Sequence, residues 1–395
     1  MTPGRSDADP VADEDTEPLI VYGPLSDRYD FGPQHPLTPR RFGPGIDLLR
    51  ATGATRFLPP EPASDDQLRR LHEARYIDTV MAFARDPDQR PKAGIGPGDC
   101  PAFAEMHPIS AAVAGGSIAA MDLILSAEET HVFQPGGGLH HAMADRASGF
   151  CIYNDVALAV ARARDAGHRV LYVDLDVHHG DGVQALFWDD PQVLTVSIHE
   201  TGKAIFPGTG FESETGGSGA PGTAVNVPLE PFSGDASWLP AFEMIVPALA
   251  AAFQPTVLVS QHGCDSHAYD PLAHLRLTTV AYAQVTRALD RIAHQRCGGR
   301  WFATGGGGYD AYRVVPRSWA LIWLAQAHHD VPSETLAAWR ERWAGEAAVF
   351  EQAPPPRTYL DPLDLVQTDP EAMVTENLRT AERSLARSLQ LQGRS

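Results

Sequence analysis

The segment DLDVHHGDG, residues 174–182, places two carboxylates, two imidazoles and a third carboxylate close together. The apolar run before it predicts a buried strand that ends at these polar residues. Side chains two residues apart in an extended segment point to the same side, so Asp174, Asp176 and His178 share one face. Such a set can hold a metal ion. A strand end solvated by its loop is the alternative interpretation.

Two other segments add candidate residues. His140 and His141 follow PGGG, where glycines allow the backbone to approach a ligand closely. A purely structural glycine turn is the alternative. Asp265, in QHGCD, comes just after another apolar run and is a candidate third metal ligand. The doublet of His328 and His329 lies near a predicted helix end, where we expect a surface position.

A glycine run, GGGGY at residues 305–309, resembles a phosphate-binding loop at first sight. It lacks the lysine and hydroxyl of a P-loop and the spacing of a dinucleotide-binding motif, so we do not expect a nucleotide site. A tyrosine on a glycine loop suits another task, which is to donate a hydrogen bond to a developing oxyanion. Tyr309 is therefore a candidate catalytic residue.

The elements that must position these residues alternate regularly between strands and helices. Runs that are apolar on both faces indicate strands covered by helices on both sides. We therefore expect an α/β fold, with one open parallel β-sheet covered by helices on both faces and ligands at the carboxyl ends of the strands. Predicted strands span 19–23, 130–135, 169–176, 192–199, 256–263 and 300–306, and predicted helices span 109–125, 155–166, 236–253, 277–294 and 314–327.

The two ends of the chain differ from its body in composition. Residues 1–17 are acidic and contain proline, which predicts a disordered tail without the character of a signal peptide. Residues 18–350 are predicted to form a single domain. Residues 351–395 begin with a proline-rich break, and 370–390 are predicted to form a polar helix that lies on the surface or frays. We find no uninterrupted apolar run of transmembrane length and expect no membrane partner.

Charge and cysteine content narrow the range of partners. The chain has 31 basic and 50 acidic residues, a formal net charge of −19, which repels phosphate backbones and anionic lipids. Direct nucleic-acid binding is therefore not expected, whereas cationic partners such as polyamines or lysine-rich protein segments are favoured. The four cysteines have no C-x-x-C spacing, so we expect no disulfides and a reducing, cytoplasmic location.

Six motifs, in the same order along the chain, resemble those of histone deacetylases. The resemblance covers roughly residues 19–330 and implies the arginase/deacetylase fold. Within the superfamily, YDPLAHL and LEPFSGDASW are similar to segments of prokaryotic acetoin-utilisation lysine deacetylases. The six motifs are PGGGLHHA, SGFCIYND, DLDVHHGDG, FPGTG, QHGCDS with a following DPL, and GGGGY.

This resemblance implies zinc-dependent hydrolysis of N-acetyl-lysine in proteins, with release of acetate by a metal-activated water. Asp176, His178 and Asp265 are the implied zinc ligands, and iron(II) also suits this O,N,O set. The implied proton-transfer groups are the general base and acid His141, its electrostatic partner His140, and the orienting carboxylates Asp174 and Asp181, with Tyr309 as the oxyanion stabiliser.

The family pattern also implies a narrow channel for the acyl-lysine chain. Its walls are Gly149, Phe150, Phe206 and Leu272, and Asp99 is the rim carboxylate that holds the substrate backbone. An ordinary solvated turn is the alternative interpretation for Asp99. A structural or regulatory monovalent cation, potassium, is implied near the site at Asp174, Asp176, His178, Ser197 and Ile198.

The predicted function is deacetylation of protein lysine, and relatives of this type act on acetylated metabolic enzymes such as acetyl-CoA synthetase. Three other functions remain open. An acetylpolyamine or other small-molecule amidohydrolase would share the metal chemistry, but polyamine-type enzymes commonly carry asparagine at the position of Asp181. A catalytically inactive acyl-lysine binding protein is disfavoured because the metal and proton-transfer positions are intact. An arginase-like hydrolase needs further carboxylates where this chain has Leu175.

Overall fold

The computed structural model describes residues 17–365 and 368–393. Eight strands form one sheet in the order β2-β1-β3-β8-β7-β4-β5-β6. Every pair of neighbouring strands is parallel, so the carboxyl ends of all the strands lie at the same edge. The strands are β1 (Leu19–Val21), β2 (Phe57–Leu58), β3 (His131–Gln134), β4 (Val170–Asp174), β5 (Val193–Glu200), β6 (Ala224–Leu229), β7 (Val257–Gln261) and β8 (Trp301–Thr304).

Helices connect the strands and cover the sheet. Short 3₁₀ turns at Ser26–Arg28 and Pro39–Arg41 precede the first of them. The helices are α1 (Phe42–Thr52), α2 (Asp65–Leu68), α3 (Ala74–Arg85), α4 (Met106–Leu125), α5 (Asp155–Asp165), α6 (Asp181–Leu186), α7 (Asp235–Phe253), α8 (Thr279–Cys297), α9 (Val315–Gln326), α10 (Ala337–Val349) and α11 (Glu371–Gln392).

Strand β4 shows how both faces of the sheet are buried. Leu171 and Val173 pack in the core formed with α7, α8 and α9, whereas Val170 and Tyr172 pack on the other side with α4 and α5. Alternate side chains of one strand thus enter two different cores, as expected for a sheet between two helical layers. The predicted fold class is confirmed.

The six predicted strands and five predicted helices are all present, with bounds shifted by a few residues. The prediction omits β2, which has only two residues, and β6, whose sequence AVNVPL contains an asparagine and a proline. Proline is tolerated in β6 because this strand lies at the edge of the sheet.

No uninterrupted apolar run in the sequence reaches transmembrane length, but two helices meet a criterion based on length and mean hydropathy. By length and hydropathy alone, α4 and α7 would each suffice to cross a membrane. In the fold, 72% of the apolar window of α4 and 50% of that of α7 are buried. Helices at the core of a layered fold meet the same criterion, because they too must be apolar.

The described parts of both chain ends make contacts that the sequence did not predict. Residues 1–16 of the predicted tail lie outside the described residues, but Glu17 accepts hydrogen bonds from the backbone of Thr55 and Arg56. Helix α11 is present where a polar helix is predicted, yet it is not merely a surface helix. Its small polar side chains face β6, and the hydroxyls of Ser384 and Ser388 donate to the Asn226 and Gly222 carbonyls, both at 2.7 Å. The predicted division of the chain at residue 350 stays a prediction.

A buried ion pair ties the segment after α10 to the body of the fold. The Arg317 guanidinium donates to the Asp361 carboxylate at 2.8 Å, and both side chains are almost fully buried. Asp361 also accepts hydrogen bonds from His267 and from the backbone N–H of Thr279. Burial alone would raise the pKa of Asp361, but the His267 hydrogen bond and the Arg317 charge lower it well below its usual value.

We expect Asp361→Asn to destabilise the protein by about 3–5 kcal/mol, because it leaves the buried Arg317 charge unpaired. Urea unfolding would measure the loss. Since the pKa of Asp361 is lowered on folding, its stabilising effect is complete above the unfolded value of about 3.9 and is lost as the pH falls below it. Glu334→Gln, which removes an exposed carboxylate paired with Arg357, is the matched control and should change little. Equal stability of the two variants would contradict the prediction.

Candidate active site

Four neighbouring strands bring the sequence motifs together. β3, β8, β7 and β4 are adjacent in the sheet, and each is followed at its carboxyl end by one of the polar or glycine-rich segments. In chain order these segments are PGGGLHH after β3, DLDVHHGDG at the end of β4, HGCD after β7 and GGGGY after β8. One edge of the sheet therefore collects residues that lie far apart in the chain.

Asp176, His178 and Asp265 form a tight cluster at this edge. Their ligand atoms lie within 4.8 Å of one another, and Nδ1 of His178 is 3.0 Å from Oδ1 of Asp176 and 3.1 Å from Oδ2 of Asp265. Asp176 and Asp265 are fully buried. Burial and then the nearby charge of Asp176 raise the pKa of Asp265 to about 6. Two buried carboxylates beside a single imidazole need a cation, so this donor set fits a divalent metal.

Hydrogen bonds from neighbouring side-chain and backbone groups hold the carboxylates of this cluster in place. The side-chain amide of Gln261 and the N–H of Gly307 donate to Oδ2 of Asp176 at 2.8 and 2.9 Å. The N–H of Val177 donates to Oδ1 of Asp265 at 3.0 Å. A Cβ atom at Gly307 would lie only 2.0 Å from the Asp265 carboxylate. Glycine at 307 therefore allows the loop to close over the two acids.

Two histidine–aspartate pairs lie beside this cluster. Nδ1 of His140 is 2.8 Å from Asp174, and Nδ1 of His141 is 2.7 Å from Asp181. The Nε2 atoms of the two rings face each other at 3.0 Å. The Tyr172 hydroxyl donates a further hydrogen bond of 2.5 Å to Asp174. Each carboxylate thus fixes the orientation of its ring and leaves Nε2 for chemistry in the cavity.

The electrostatic surroundings of the two rings differ. Burial would lower the pKa of His140, but the carboxylates of Asp174 and Asp176 raise it to about 9. Burial and then the neighbouring His140 ring lower the pKa of His141 to about 4. Near neutral pH, His140 therefore favours the protonated, charged form and His141 favours the neutral form.

Tyr309 lines the same cavity as both histidines and is 7% exposed. Burial raises the pKa of Tyr309 well above its usual value, which keeps the hydroxyl protonated and able to donate. The Asp270 carboxylate accepts a hydrogen bond of 2.9 Å from the N–H of Tyr309. The buried Arg41 guanidinium donates a hydrogen bond of 2.7 Å to the carbonyl of Gly306, in the same loop as Tyr309. The loop that carries Tyr309 is thus held from two sides.

A narrow cavity leads to these groups, and the predicted channel residues differ in their position relative to it. Gly149 and Phe150 line the cavity. The Phe206 ring lies edge-on to His141, with ring centroids 4.9 Å apart, and 43% of Phe206 is exposed. Leu272 is 40% exposed and is not among the residues that line the cavity. The cavity is lined by Leu37, Gly138, Leu139, His140, His141, Gly149, Phe150, Cys151, Asp176, His178, Gly306, Gly307 and Tyr309.

Gly149 and Asp99 meet at the cavity wall. Gly149 has a φ of +54°, and a Cβ there would lie 2.2 Å from the His141 ring. Its N–H donates to the Asp99 carboxylate at 2.7 Å, and Asp99 is exposed. Asp99 therefore holds in place the backbone of Gly149, which lies against the His141 ring.

The residues of the predicted monovalent-cation site lie side by side. Asp174 and Ser197 are direct partners in the register of β4 and β5, and Ile198 is the next residue of β5. Asp176 and His178 continue the chain from the end of β4. The Ser197 hydroxyl lies 2.8 Å from Nδ1 of His199. Asp174, Ser197 and Ile198 are thus neighbours in two adjacent strands, and Asp176 and His178 also belong to the cluster with Asp265.

Several residues that build the site escape the sequence argument. Arg41, Gln261 and Asp270 support the site through hydrogen bonds, and Leu37 and Cys151 line the wall. Asp270 lies in the YDPL segment, so the motif itself was a signal for it. Arg41 lies in PRRFGPG, which contains no comparable signal.

Comparisons with known proteins identify the family of this chain. The histone deacetylase domain matches residues 35–326, a range that contains the whole cavity lining. A crystal structure of an HDAC homolog complexed with SAHA superimposes with a TM-score of 0.81 at 28% identity and covers 93% of this chain and 100% of that chain. Fold and site thus define a deacetylase. The chain belongs to the histone deacetylase family.

Within this family the chain is similar to the acetoin utilization protein AcuC. The AcuC protein of Bacillus subtilis (strain 168) is 40% identical over 376 residues, which cover 93% of this chain and 96% of that protein. The AcuC protein of Staphylococcus aureus (strain MSSA476) is 37% identical over 331 residues, or 82% of this chain and 85% of its own. The predicted resemblance to acetoin-utilisation deacetylases of the histone deacetylase superfamily is confirmed.

Proposed function

We propose that this deacetylase hydrolyses N-acetyl-lysine in proteins and releases acetate, with zinc as its metal. The observation that carries the proposal is the convergence of two histidine–aspartate pairs beside Asp176, His178 and Asp265 in one narrow cavity. The three ligands are the proposed zinc site, and iron(II) suits the same donors. When bound, the metal would polarise the acetyl carbonyl and lower the pKa of a water molecule.

His141 is the proposed general base and then the acid. Its Nδ1 is held by Asp181, so Nε2 is the atom that takes a proton from the attacking water and returns it to the leaving lysine amine. His140, held by Asp174, supplies charge and a hydrogen bond at the same point. The 3.0 Å approach of the two Nε2 atoms supports this shared position.

Tyr309 is the proposed oxyanion stabiliser. Its hydroxyl stays protonated, and the loop that carries it is held by Asp270 and Arg41 before substrate arrives. A preorganised donor stabilises the charge that develops on the carbonyl oxygen without reorganisation in the transition state. The amide bond then breaks as the amine receives its proton from His141.

The substrate is proposed to be an acetylated protein, with acetyl-CoA synthetase as the candidate. Apolar side chains beside the cavity suit the four methylenes of a lysine, worth about 0.8 kcal/mol each when buried. Phe150 and Phe206 are the proposed walls, Leu272 the outer lip and Asp99 the rim carboxylate. The net charge of −19 supports attraction of lysine-rich segments.

We also propose that the protein binds potassium and is located in the cytoplasm. Potassium would bind where Asp174, at the end of β4, pairs with Ser197 of β5, with ligands supplied largely by backbone oxygens. The four cysteines are unpaired and buried, which supports a reducing compartment such as the cytoplasm.

The decisive experiment offers the zinc-loaded protein an acetyl-lysine peptide and an N-acetylated polyamine, and measures acetate release from each. We expect kcat/KM to be at least about tenfold higher for the peptide, since the lysine backbone contributes contacts at the rim that a polyamine lacks, and about 1.4 kcal/mol suffices for this ratio. Turnover of polyamines alone would establish the small-molecule alternative. No turnover of either substrate by a metal-loaded, folded protein would contradict the proposal as a whole.

A further inference from the structure

A second cluster of metal-binding side chains lies at the other end of the sheet. His131, Asp290, His294 and His328 offer four ligand atoms that all lie within 4.8 Å of one another. His131 is the first residue of β3, so it lies at the amino end of the strand whose carboxyl end leads to His140 and His141. The cluster therefore lies at the edge of the sheet opposite the active site.

Three separate parts of the fold supply the cluster. Asp290 and His294 are one turn apart on α8, and His328 follows the end of α9. Nε2 of His294 is 3.1 Å from Nε2 of His328, and the two are 3.4 and 3.3 Å from Oδ1 of Asp290. Nε2 of His131 is 3.8 Å from the same carboxylate oxygen. Three imidazole nitrogens thus surround one carboxylate oxygen.

His131 provides an independent indication of a ligand. It is only 3% exposed, and its Nδ1 lies 2.9 Å from the Gln326 carbonyl, so Nδ1 carries the proton and Nε2 keeps its lone pair. Within residues 17–365 and 368–393, Nε2 of His131 has no hydrogen-bond partner. A buried polar nitrogen without a partner is costly and needs an explanation. A metal ion at the centre of the cluster would be that partner.

We propose that His131, Asp290, His294 and His328 form a structural site for zinc or a similar divalent transition metal. With metal–ligand bonds of about 2.0–2.1 Å, neighbouring ligands of a tetrahedral zinc lie about 3.3 Å apart. The distances of 3.1, 3.3, 3.4 and 3.8 Å between these atoms need only small adjustments to match. The carbonyl that holds Nδ1 of His131 is the outer partner that zinc-binding histidines usually have.

The site differs in kind from the catalytic cluster. Four protein ligands close a tetrahedral site, whereas a catalytic metal needs an open position. The metal would link β3 in the centre of the sheet to α8 and to the end of α9. His294 and His328 have side chains 35% and 34% exposed, so an ion can reach the site from solvent. The predicted surface position of His328 is thus correct, but one face of its ring belongs to this cluster.

The test counts zinc ions per chain. The full-length protein is stripped with a chelator, reloaded with ZnSO₄, dialysed and analysed by elemental mass spectrometry and zinc titration. We expect two zinc ions in the wild type and one in the double variant His294→Gln/His328→Gln. His329→Gln, which changes the exposed neighbour of His328, is the matched control and should retain two.

A second readout guards against misfolding and separates this site from catalysis. Asp265→Asn should retain the second zinc while losing the first, and zinc should still raise its unfolding temperature. The double variant should keep wild-type deacetylase activity at saturating zinc but lose this rise. One zinc in the wild type, a second zinc that survives in the double variant, or a second zinc lost on dialysis would each overturn the site. None of these results would bear on the proposed function.

Discussion

His141→Ala is expected to lower kcat on an acetyl-lysine peptide by about a hundred- to ten-thousandfold, the usual contribution of a positioned acid–base group. His141 has its Nδ1 held by Asp181, and its Nε2 faces the cavity, where it can accept the proton. The carboxylates beside His140 favour its charged form, which has no lone pair to accept a proton. His140 is close, but it is held by a different carboxylate. Steady-state assays at saturating zinc would measure the loss.

The control for this prediction is the state of the variant protein. Metal content should match the wild type, because His141 is not among the proposed ligands. Asp181→Asn keeps the ring and changes only its partner, so we expect a smaller loss than for His141→Ala. A folded, fully loaded His141→Ala variant with more than about a tenth of wild-type kcat would remove His141 from its proposed role.

Tyr309→Phe is expected to lower kcat about a hundred- to a thousandfold, the typical cost of removing one oxyanion donor. The effect should fall on kcat rather than on KM, because the hydroxyl is proposed to interact with charge that exists only in the transition state. The aromatic ring remains against Phe150, where the centroids are 6.0 Å apart, so the cavity wall should survive.

Tyr312→Phe is the matched control for this substitution. Tyr312 lies three residues further on, is fully buried and donates its hydroxyl to Glu346 at 2.8 Å rather than to the cavity. Its loss should cost about 1 kcal/mol of stability and leave kcat unchanged. If both tyrosine variants lost activity equally, the effect of Tyr309→Phe would be structural and the proposed oxyanion role would be wrong.

Much of the candidate site can be predicted from local sequence. The apolar run before Asp174 defines a strand, and the spacing of two residues places Asp174, Asp176 and His178 on one side. The pairings of His140 with Asp174 and His141 with Asp181 followed from a family resemblance, and the structure has both contacts. Leu272 was placed by the same resemblance, but it is exposed and lies outside the cavity lining.

The contacts that support the site and the sheet edge could not be predicted from these motifs. Arg41 reaches the Gly306 carbonyl across more than half of the chain, and its sequence surroundings carry no signal. Helix α11 has a polar composition that predicts a surface position, yet its serine hydroxyls pair with the edge of the sheet. His131 lies within a predicted strand, and no motif in the sequence marks its side chain as part of a cluster.

The sequence by itself determined the alternation of strands and helices, the chemical identity of the acids and imidazoles, and their spacing within each segment. It did so because side-chain periodicity and glycine placement are local properties of the chain. Only the tertiary structure decided that β3, β8, β7 and β4 are neighbours, and hence that Asp265 meets Asp176 and that His131 meets Asp290 and His328. These meetings depend on the order of strands in the sheet and on helix packing, which local periodicity does not encode.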